Sequence, residues 1–449
     1  MSQQNNITIK ASLNTDKNTL LIQQEVLYFN NSKDTLTRLF FHNWPNSFKD
    51  RKTPLAKRFI KDFRKDLYFA NPKNLGYTSI KNISIDFKSV VYNELKNKPD
   101  ILELFLDTPL LPGNQKKITL TYSIKLPNHK FTNYGFSKNK FNLRYWYISS
   151  AIYKNGWQLM SNLNLDDLYE DFTTFNIHFT LPKHLNLVSS LKATKTSNTT
   201  TNTYNLKGTN EKDVIINIAE NNTFKEFITD KNTIQTNILE EDIGKELTEK
   251  ILNRELQFLE NHLGKLPIKN IFIDEVMRKK NPIYGLSQLP EFISPFSDIF
   301  KYDLTLFKVL SKRYIKKSLL LNSRKEYWLI DGIQNYLMIE YINQYYPEVK
   351  LLGKASNSWF LKRYNISKLK FNEKYPFVYQ FTARKFLDQS LTTSADSLSN
   401  FNRKIVNTYK AGLGFVYLKG FLGDTVLNKS IKEFYQKNKC KIASSKEFK

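Results

Sequence analysis

The chain has 449 residues, of which 41% are hydrophobic and 14% aromatic. This is enough for two or three domains with buried cores and excludes a disordered chain. The formal net charge of +26 favours acidic partners such as nucleic acid, an anionic membrane surface or an acidic protein. The excess lies mostly in scattered lysines, alongside much Asn, Ile, Phe and Tyr. An AT-rich genome produces this bias without a functional cause, and we favour that explanation.

The cysteine content and the N-terminus bear on redox compartment and localisation. Cys440 is the single cysteine, which excludes an internal disulfide and a zinc site built from cysteines. No apolar run reaches the roughly 18 residues of a membrane-spanning helix. The first residues, MSQQNNITIK, have neither the basic nor the apolar region of a signal peptide. We therefore expect a periplasmic or cell-surface protein if a signal peptide has been removed, and a cytoplasmic one otherwise.

Residues 6 to about 212 predict β-strands, because alternating apolar and polar residues recur between turn signals. The predicted strands are ITIKASLN, TLLIQQEVLYFNN, TRLFFHNW, KNISIDF, ILELFLDTPL, KKITLTYSIKLP, TFNIHFTLPKHLNL, TNTYNLKG and DVIINIAEN. Many short strands at such spacing favour an all-β sandwich. We place this first domain at residues 1–212, with one helical insert near 53–66.

The helical insert carries a basic patch interleaved with aromatic residues. Its basic residues are Lys57, Arg58, Lys61, Arg64 and Lys65. Such a patch is typical of surfaces that bind nucleic acid or anionic lipid. The solvated lysine face of an ordinary amphipathic helix has the same pattern, and we favour that interpretation. Nucleic acid is therefore not an expected partner.

From about residue 235 the apolar spacing becomes helical. A long amphipathic helix is predicted over ILEEDIGKELTEKILNRELQFLENHLGKLP, then a buried strand, KNIFIDEVM, and a loop or edge strand, NPIYGLSQLPEF. Further helices are predicted over 302–322, 324–345, 374–388, 396–408 and 411–437. We expect a second domain, 213–449, with an α+β, mainly helical core. A helix cap at Ser444 or Ser445 predicts a further helical region that is truncated here.

The order of a β-sandwich, a short mixed sheet and a helical core resembles the M1 family of zinc aminopeptidases, the gluzincins. The segments that carry the resemblance are VLYFNNSKDTLTRLFFHNWPNSF, GWQLMSNLNLDDLYEDFTTFNIHFTLP, ENHLGKLPIKNIFI and YWLIDGIQNYLMIEY. It covers nearly the whole chain. It implies a multidomain fold in which the second domain is a thermolysin-like core.

The resemblance also implies where a catalytic site would lie. The family motif is His-Glu-x-x-His, eighteen residues and a Glu, in which the histidines and the distant Glu bind zinc and the first Glu activates water. YWLIDGIQNYLMIEY resembles the family helix that carries the distant Glu. This places Asp331 at that Glu, Lys308 and Lys312 at the two histidines, and Val309 at the general base. All four positions are degenerate, since none has the residue type of the family motif. Val309 has no group that can accept a proton from water.

Two further elements of the family concern the peptide-binding cleft. The family's Gly-x-Met-Glu-Asn strand, which holds the peptide backbone, corresponds to GLSQL at 285–289. Gln288 stands where the family's acidic residue pairs with a free α-amine. The family's Tyr-x-Lys-Gly element resembles YKAG at 409–412. The resemblance thus makes Gly285, Gln288 and Tyr409 candidates for a cleft, although a turn residue and a packed core tyrosine are the ordinary alternatives.

The histidine distribution argues against a metal site without any alignment. The five histidines are His42, His129, His178, His184 and His262. The predicted helices after residue 263 contain none, whereas a catalytic zinc site normally combines two or more His or Cys ligands with a carboxylate. The sequence therefore predicts no metal and no cofactor.

Lys308 and Lys312 lie one helical turn apart, so their ammonium groups could supply the positive charge that a metal ion would otherwise provide. A buried carboxylate without a partner is costly. We therefore expect Lys308 or Lys312 to pair with Asp331 and to clamp the two core helices. Alternatively, both lysines belong to a solvated basic stripe with Lys316.

Together these features predict a non-catalytic pseudo-peptidase that binds protein partners as a scaffold subunit, in a multi-subunit assembly of a bacterial envelope. Two alternatives stay open. One is a divergent zinc aminopeptidase with relocated ligands. The other is an electrostatic binder of nucleic acid or an anionic membrane surface, whose affinity would fall steeply with salt.

Overall fold

The computed structural model describes residues 4–286, 294–363 and 365–448. The chain divides into two compact units, residues 1–223 and 224–449. The first unit consists of β-sheets with one short α-helix, and the second is mixed and mainly helical. This confirms the fold class expected from the sequence.

The first unit is built from sixteen strands within residues 4–223. They are β1 (Asn5–Asn14), β2 (Thr19–Phe29), β3 (Leu36–His42), β4 (Tyr77–Ile85), β5 (Lys88–Ser89), β6 (Tyr92–Leu95), β7 (Lys98–Leu110), β8 (Gln115–Lys125), β9 (Gly135–Ser137), β10 (Lys140–Leu143), β11 (Ser149–Ser150), β12 (Thr173–Pro182), β13 (Asn186–Ser189), β14 (Lys192–Ser197), β15 (Thr201–Glu211) and β16 (Ile216–Ala219).

Three sheets share one apolar core in this unit. The large sheet has the order β14-β15-β12-β1-β2-β8-β4-β5, and the smaller sheets are β13-β16-β10-β9 and β11-β3-β7-β6. Alternate residues of β1 point inward, and Ile9 lies opposite Ile177 of the parallel neighbour β12. Ile9 shares its core cluster with Phe41 of β3 and Phe141 of β10. This common core makes the unit a sandwich.

The segment TFNIHFTLPKHLNL, predicted as one strand, forms two. β12 ends at Pro182, whose carbonyl accepts a hydrogen bond from the amide of Leu185 at 3.0 Å. This turn redirects the chain, and β13 pairs in a different sheet from β12. Alternation alone could not locate the turn, because apolar residues continue through it.

The predicted basic helix is α1 (Pro54–Lys61), and its basic residues do not share one solvated face. Arg58 is only 4% exposed and pairs with Asp62 at 3.3 Å. Arg64 lies over the ring of Phe59, 3.7 Å from its centroid. The remaining basic residues of the patch, Lys57, Lys61 and Lys65, are exposed. The expectation of a fully solvated face is therefore wrong at Arg58, which is part of the packing.

A buried charge network lies at the acidic segment that precedes β12. Arg144 pairs with Asp166 at 2.9 Å and with Asp213 at 2.7 Å. Glu170 is buried close by, and burial together with the charge of Asp213 raises its pKa to about 8. The carboxyl group is therefore protonated in the folded chain at neutral pH.

This raised pKa predicts how stability depends on pH. An unfolded glutamate titrates near 4.5, so between about pH 4.5 and 8 the folded state holds a proton that the unfolded state has lost. Glu170 therefore lowers the free energy of unfolding progressively as pH rises through this window, by up to about 1.4 kcal/mol per pH unit. Glu170→Gln should remove this contribution. Denaturant unfolding from pH 5 to 8 should show a growing advantage for the variant, and a constant difference would contradict the assignment.

The second unit contains eight α-helices and five strands in its described residues. The helices are α2 (Lys245–Leu263), α3 (Glu275–Lys280), α4 (Asp298–Ser318), α5 (Tyr327–Tyr345), α6 (Trp359–Arg363), α7 (Lys374–Arg384), α8 (Asn407–Leu422) and α9 (Asp424–Lys437). The strands are β17 (Lys225–Ile228), β18 (Thr233–Thr236), β19 (Asn270–Ile273), β20 (Leu320–Leu321) and β21 (Ile442–Ala443). They form the sheets β17-β18-β19 and β20-β21. Among the described residues, none of the helices has the length and apolarity to span a bilayer.

Several predicted elements of this unit have different boundaries in the structure. KNIFIDEVM is a strand only to Ile273, because Asp274 caps α3 by accepting a hydrogen bond from the amide of Met277 at 2.8 Å. The predicted helix 411–437 is broken at Gly423, whose φ of +86° suits glycine. The predicted break before residue 411 is absent, since a π-helical turn at Asn402–Val406 runs directly into α8.

Helices α5 and α8 approach each other through glycines. A Cβ added at Gly412 would lie 2.6 Å from Cβ of Asn335, and one added at Gly332 would lie 2.9 Å from the ring of Phe415. Both distances are below normal van der Waals contact. The close packing of α5 against α8 therefore requires glycine, which has no Cβ, at both positions.

Gly412→Ala should destabilise the protein by about 1–3 kcal/mol, because overpacking at this contact outweighs the better helix propensity of alanine. Gly414 offers a matched control on the same helix, since a Cβ there meets no atom within 4 Å. Gly414→Ala should stabilise the protein by about 0.5–1 kcal/mol. Thermal or denaturant unfolding of the two variants measures both effects, and changes of the same sign would contradict this packing.

Candidate functional site

The candidate site lies where α4 faces α5. The side-chain amide of Gln334 donates to the carbonyl of Lys308 at 2.7 Å and to the hydroxyl of Ser311 at 3.3 Å. On the other side of α5, the amide of Asn335 donates to the carbonyl of Thr408 in α8 at 3.1 Å. These bonds fix α5 between α4 and α8, and they set which residues of α4 face Asp331.

A buried carboxylate anchors α4 about one and a half turns before Lys308. Asp303 has no exposed surface and accepts a hydrogen bond from the hydroxyl of Tyr341 at 2.7 Å. It also contacts Arg254 of α2 and the hydroxyl of Tyr346. Burial and the charge of Asp303 raise the pKa of neighbouring Glu255 well above its ordinary value. This network joins α2, α4 and α5, and sequence spacing gave no signal for it.

The ion pair predicted between the two core helices is formed by Lys312. Its Nζ lies 3.5 Å from Oδ1 of Asp331, and the two side chains are 27% and 18% exposed. Lys312 is therefore not part of a fully solvated basic stripe.

Lys308 makes a different contact. Its Nζ donates to the carbonyl of Pro282 at 2.7 Å, in the loop that follows α3. Burial and the charge of Lys312 lower its pKa to about 7, although Asp331 opposes this shift. The next residue, Val309, is 2% exposed and packs in the core. Of the two predicted lysines, one thus pairs with Asp331 and the other holds the loop.

Lys374, at the first turn of α7, is a third lysine of this region. It is 8% exposed, and its Nζ lies 3.4 Å from the carbonyl of Tyr284 and 3.8 Å from the ring centroid of Phe371. Burial and the charge of Lys308 lower its pKa well below the ordinary value. The sequence gives no signal for Lys374, because it lies 66 positions after Lys308 and no motif connects the two.

The three cleft candidates have different outcomes. Tyr409 is 6% exposed and packs its ring against Tyr375, with centroids 4.6 Å apart. Burial and the nearby Tyr284 raise its pKa above the usual range. Gly285 is exposed with φ of +85°, a conformation suited to glycine. Gln288 lies outside the described residues. A cleft role for these three residues stays a prediction.

The fold can now be compared with solved structures. The M1 zinc metallopeptidase of Deinococcus radiodurans is similar to this chain with a TM-score of 0.59 and 11% identity, over 99% of this chain and 88% of that one. The chain has the M1 metallopeptidase fold. A variant of that enzyme bound to a Tyr-Ser-Ala substrate gives a TM-score of 0.60 and 12% identity, over 99% and 89%. Yeast LTA4 hydrolase in complex with bestatin gives 0.56 and 12%, over 99% and 63%. The sequence matches no protein-family model and no curated protein.

The M1 fold implies a zinc ion, and the residues at this helix pair do not fit one. Lys312 directs its ammonium group at Asp331, the one carboxylate that the resemblance assigns to the metal. Zinc requires lone pairs from imidazole, thiolate or carboxylate groups. Within the described ranges, no three His, Cys, Asp or Glu side chains come together in a group able to hold a metal ion. The groups that face each other here are an ammonium on α4 and a carboxylate on α5, which do not form a zinc ligand set.

The ion pair can be measured with a double-mutant cycle. Lys312→Met and Asp331→Asn should each destabilise the protein, with a coupling free energy on the order of 1 kcal/mol that weakens in salt. A control cycle uses the pair Lys301 and Asp298 on α4, where the side chain of Asp298 is 74% exposed. Its coupling should be a few tenths of a kcal/mol. If the destabilisation by Lys312→Met and Asp331→Asn together equals the sum of the two single effects, the ion pair does not stabilise the contact between α4 and α5.

Proposed function

We propose that this chain is a non-catalytic protein of the M1 fold that holds a polypeptide and acts as a protein-binding or scaffold subunit. One observation carries the proposal. The helix pair that would carry a zinc site presents Lys308, Lys312 and Asp331, and Lys312 is paired with Asp331 at 3.5 Å. We further propose that the protein works within a multi-subunit assembly of a bacterial envelope.

The chemistry of these side chains supports a loss of hydrolysis. Peptide hydrolysis by a zinc enzyme needs a metal to polarise the carbonyl and a base to activate water. Val309 has no titratable group, and the ammonium of Lys312 is a hydrogen-bond donor without a lone pair for a metal. The chain after residue 262 contains no histidine with which to rebuild the site.

Peptide binding is supported by the solved structures of similar fold. One M1 metallopeptidase is solved with a Tyr-Ser-Ala substrate, and two-domain M1 metallopeptidase variants are solved with L-tryptophan and with L-arginine. A chain that keeps this fold and loses the chemistry retains the means to bind a peptide. Fold alone does not fix function, so the proposal depends on a direct test.

The competing function is that of a divergent zinc aminopeptidase. The two functions predict opposite results when the protein is incubated with added zinc and either aminoacyl arylamides or Tyr-Ser-Ala, and hydrolysis is measured. We expect no turnover above a heat-denatured control and detectable binding of unlabelled peptide without cleavage. Turnover that is abolished by a chelator would contradict the proposal.

A restored variant provides the positive control for the assigned positions. Lys308→His, Val309→Glu, Lys312→His and Asp331→Glu together rebuild the ligand set that the resemblance implies. If these side chains lie where zinc would, the fourfold variant should bind about one zinc per chain. The same four changes should leave zinc binding unchanged if the positions are wrongly assigned.

A further inference from the structure

The outer side of α1 and of the loop that follows it is both basic and apolar. The inner side packs into a small core around Leu55, Phe59 and Phe131. We call the outer side the α1 surface. It is defined by three exposed lysines and three exposed apolar residues, which are Lys57, Lys61, Lys65, Ile60, Phe63 and Phe69. Because the inner side is packed, the fold holds these six side chains in solvent.

The residues of the α1 surface form one continuous patch. The three that lie on α1 share one helical face, at i, i+3 and i+4 spacing. The amide of Phe63 donates to the carbonyl of Ile60 at 3.0 Å, so the loop turns directly off the end of the helix. The amide of Phe69 donates to the carbonyl of Lys65 at 3.1 Å. These bonds keep the apolar residues beside the lysines.

The charge of this segment is strongly unbalanced. Residues 51–73 contain eight basic and two acidic side chains. Both acids pair with arginines, Asp62 with Arg58 at 3.3 Å and Asp66 with Arg64 at 2.8 Å. The other six basic side chains are all exposed. An anionic surface is the complementary partner, because exposed lysines attract negative charge over roughly 8–10 Å at physiological salt.

The exposed phenylalanines favour a lipid surface over nucleic acid. Phe63 is 95% exposed and Phe69 is 74% exposed, so nearly the whole ring of Phe63 is in solvent. Stacking on a base covers one face of a ring and leaves the other in water. Insertion between lipid headgroups covers both faces and therefore removes more apolar surface from water. Apolar side chains beside lysines are typical of proteins that lie on a bilayer.

We propose that the α1 surface binds the protein to the surface of an anionic lipid bilayer. The lysines bind the acidic headgroups, and Ile60, Phe63 and Phe69 enter the boundary between headgroups and acyl chains. Binding needs both contributions, because either one alone is weak. The α1 surface belongs to the first unit and shares no residue with the helix pair α4 and α5. Its failure would therefore leave the proposed function standing.

Sedimentation of the full chain with vesicles measures this binding. One vesicle is phosphatidylcholine alone, and the other is an equimolar mixture of phosphatidylcholine and phosphatidylserine. We expect the mixed vesicles to bind at least about tenfold more tightly, with an affinity that falls as salt is added. Equal binding to both vesicles, or binding to neither, overturns the proposal.

Lysine substitutions locate the electrostatic contribution. The triple variant Lys57→Gln, Lys61→Gln and Lys65→Gln should weaken binding to the mixed vesicles by at least about tenfold and reduce its salt dependence. All three side chains are exposed, so the variant should fold, which circular dichroism checks.

A matched control removes three exposed lysines elsewhere in the first unit, with Lys192→Gln, Lys195→Gln and Lys207→Gln on β14 and β15. β14 lies at one end of the large sheet, whereas β4, which follows the α1 surface in the chain, lies near the other end. The control should change the affinity by less than about twofold. If both triple variants weaken binding equally, the vesicles respond to the net charge of the chain and the α1 surface is not the binding site.

Phenylalanine substitutions test insertion into the bilayer. Phe63 has φ of +60°, which asparagine tolerates, so Phe63→Asn with Phe69→Ser should fold. This double variant should weaken binding at least about tenfold and keep the salt dependence. Phe87→Asn is the matched control, since Phe87 is 88% exposed with φ of +70° but follows Asp86, which pairs with Lys116. Phe87→Asn should leave binding unchanged.

A fluorescein-labelled single-stranded oligothymidylate, followed by fluorescence polarisation, tests nucleic acid as the occupant of the α1 surface. We expect the phenylalanine double variant to lose vesicle binding and to bind the oligonucleotide like the unchanged chain. If the double variant instead loses oligonucleotide binding and keeps vesicle binding, the rings stack on bases. The α1 surface would then be a nucleic-acid site, and the proposal would be wrong.

Discussion

The close approach of α5 to α8 is the constraint on which the second unit depends. Gly332 and Gly412 permit it, because a methyl group at either position would meet a neighbouring side chain at 3 Å or less. Gln334 then joins α5 to the carbonyl of Lys308 on the opposite side. With α5 fixed from both sides, Asp331 has to face α4, and Lys312 is the residue that meets it. The ion pair of Lys312 and Asp331 thus results from the packing of α5, which Gly332, Gly412 and Gln334 determine.

The same packing explains why a cationic site is tolerated. Asp303 binds Arg254 and two tyrosine hydroxyls one and a half turns before Lys308, so α4 is anchored independently of the lysines. The lysines can therefore differ from metal ligands without loss of the helix pair. Their cost in desolvation is offset in part by Asp331 and by the carbonyls of Pro282 and Tyr284.

Much of this architecture follows from sequence periodicity, and the exceptions have physical causes. The alternation of β1 and the helical spacing of α4 and α5 were sufficient to place these elements. The end of β19 at Asp274 and the break at Gly423 depend on a cap and on one backbone angle, which apolar patterns do not contain. For the site, the resemblance brought Lys308, Lys312 and Asp331 together, and the cost of an unpaired buried carboxylate then predicted the pairing of a lysine with Asp331. Lys374 and the carbonyls of Pro282 and Tyr284 reach this region only through tertiary contacts. The burial of Arg58 depends on its ion pair with Asp62, which apolar patterns do not contain.

The helix pair α4 and α5 thus places the ion pair of Lys312 and Asp331 where the M1 fold implies a metal. The deciding measurement is the zinc content of the purified chain after incubation with excess zinc and gel filtration, obtained by inductively coupled plasma mass spectrometry. We expect zinc far below one atom per chain and a thermal stability that does not change when a chelator is added. One tightly held zinc per chain, lost to the chelator along with stability, would contradict it.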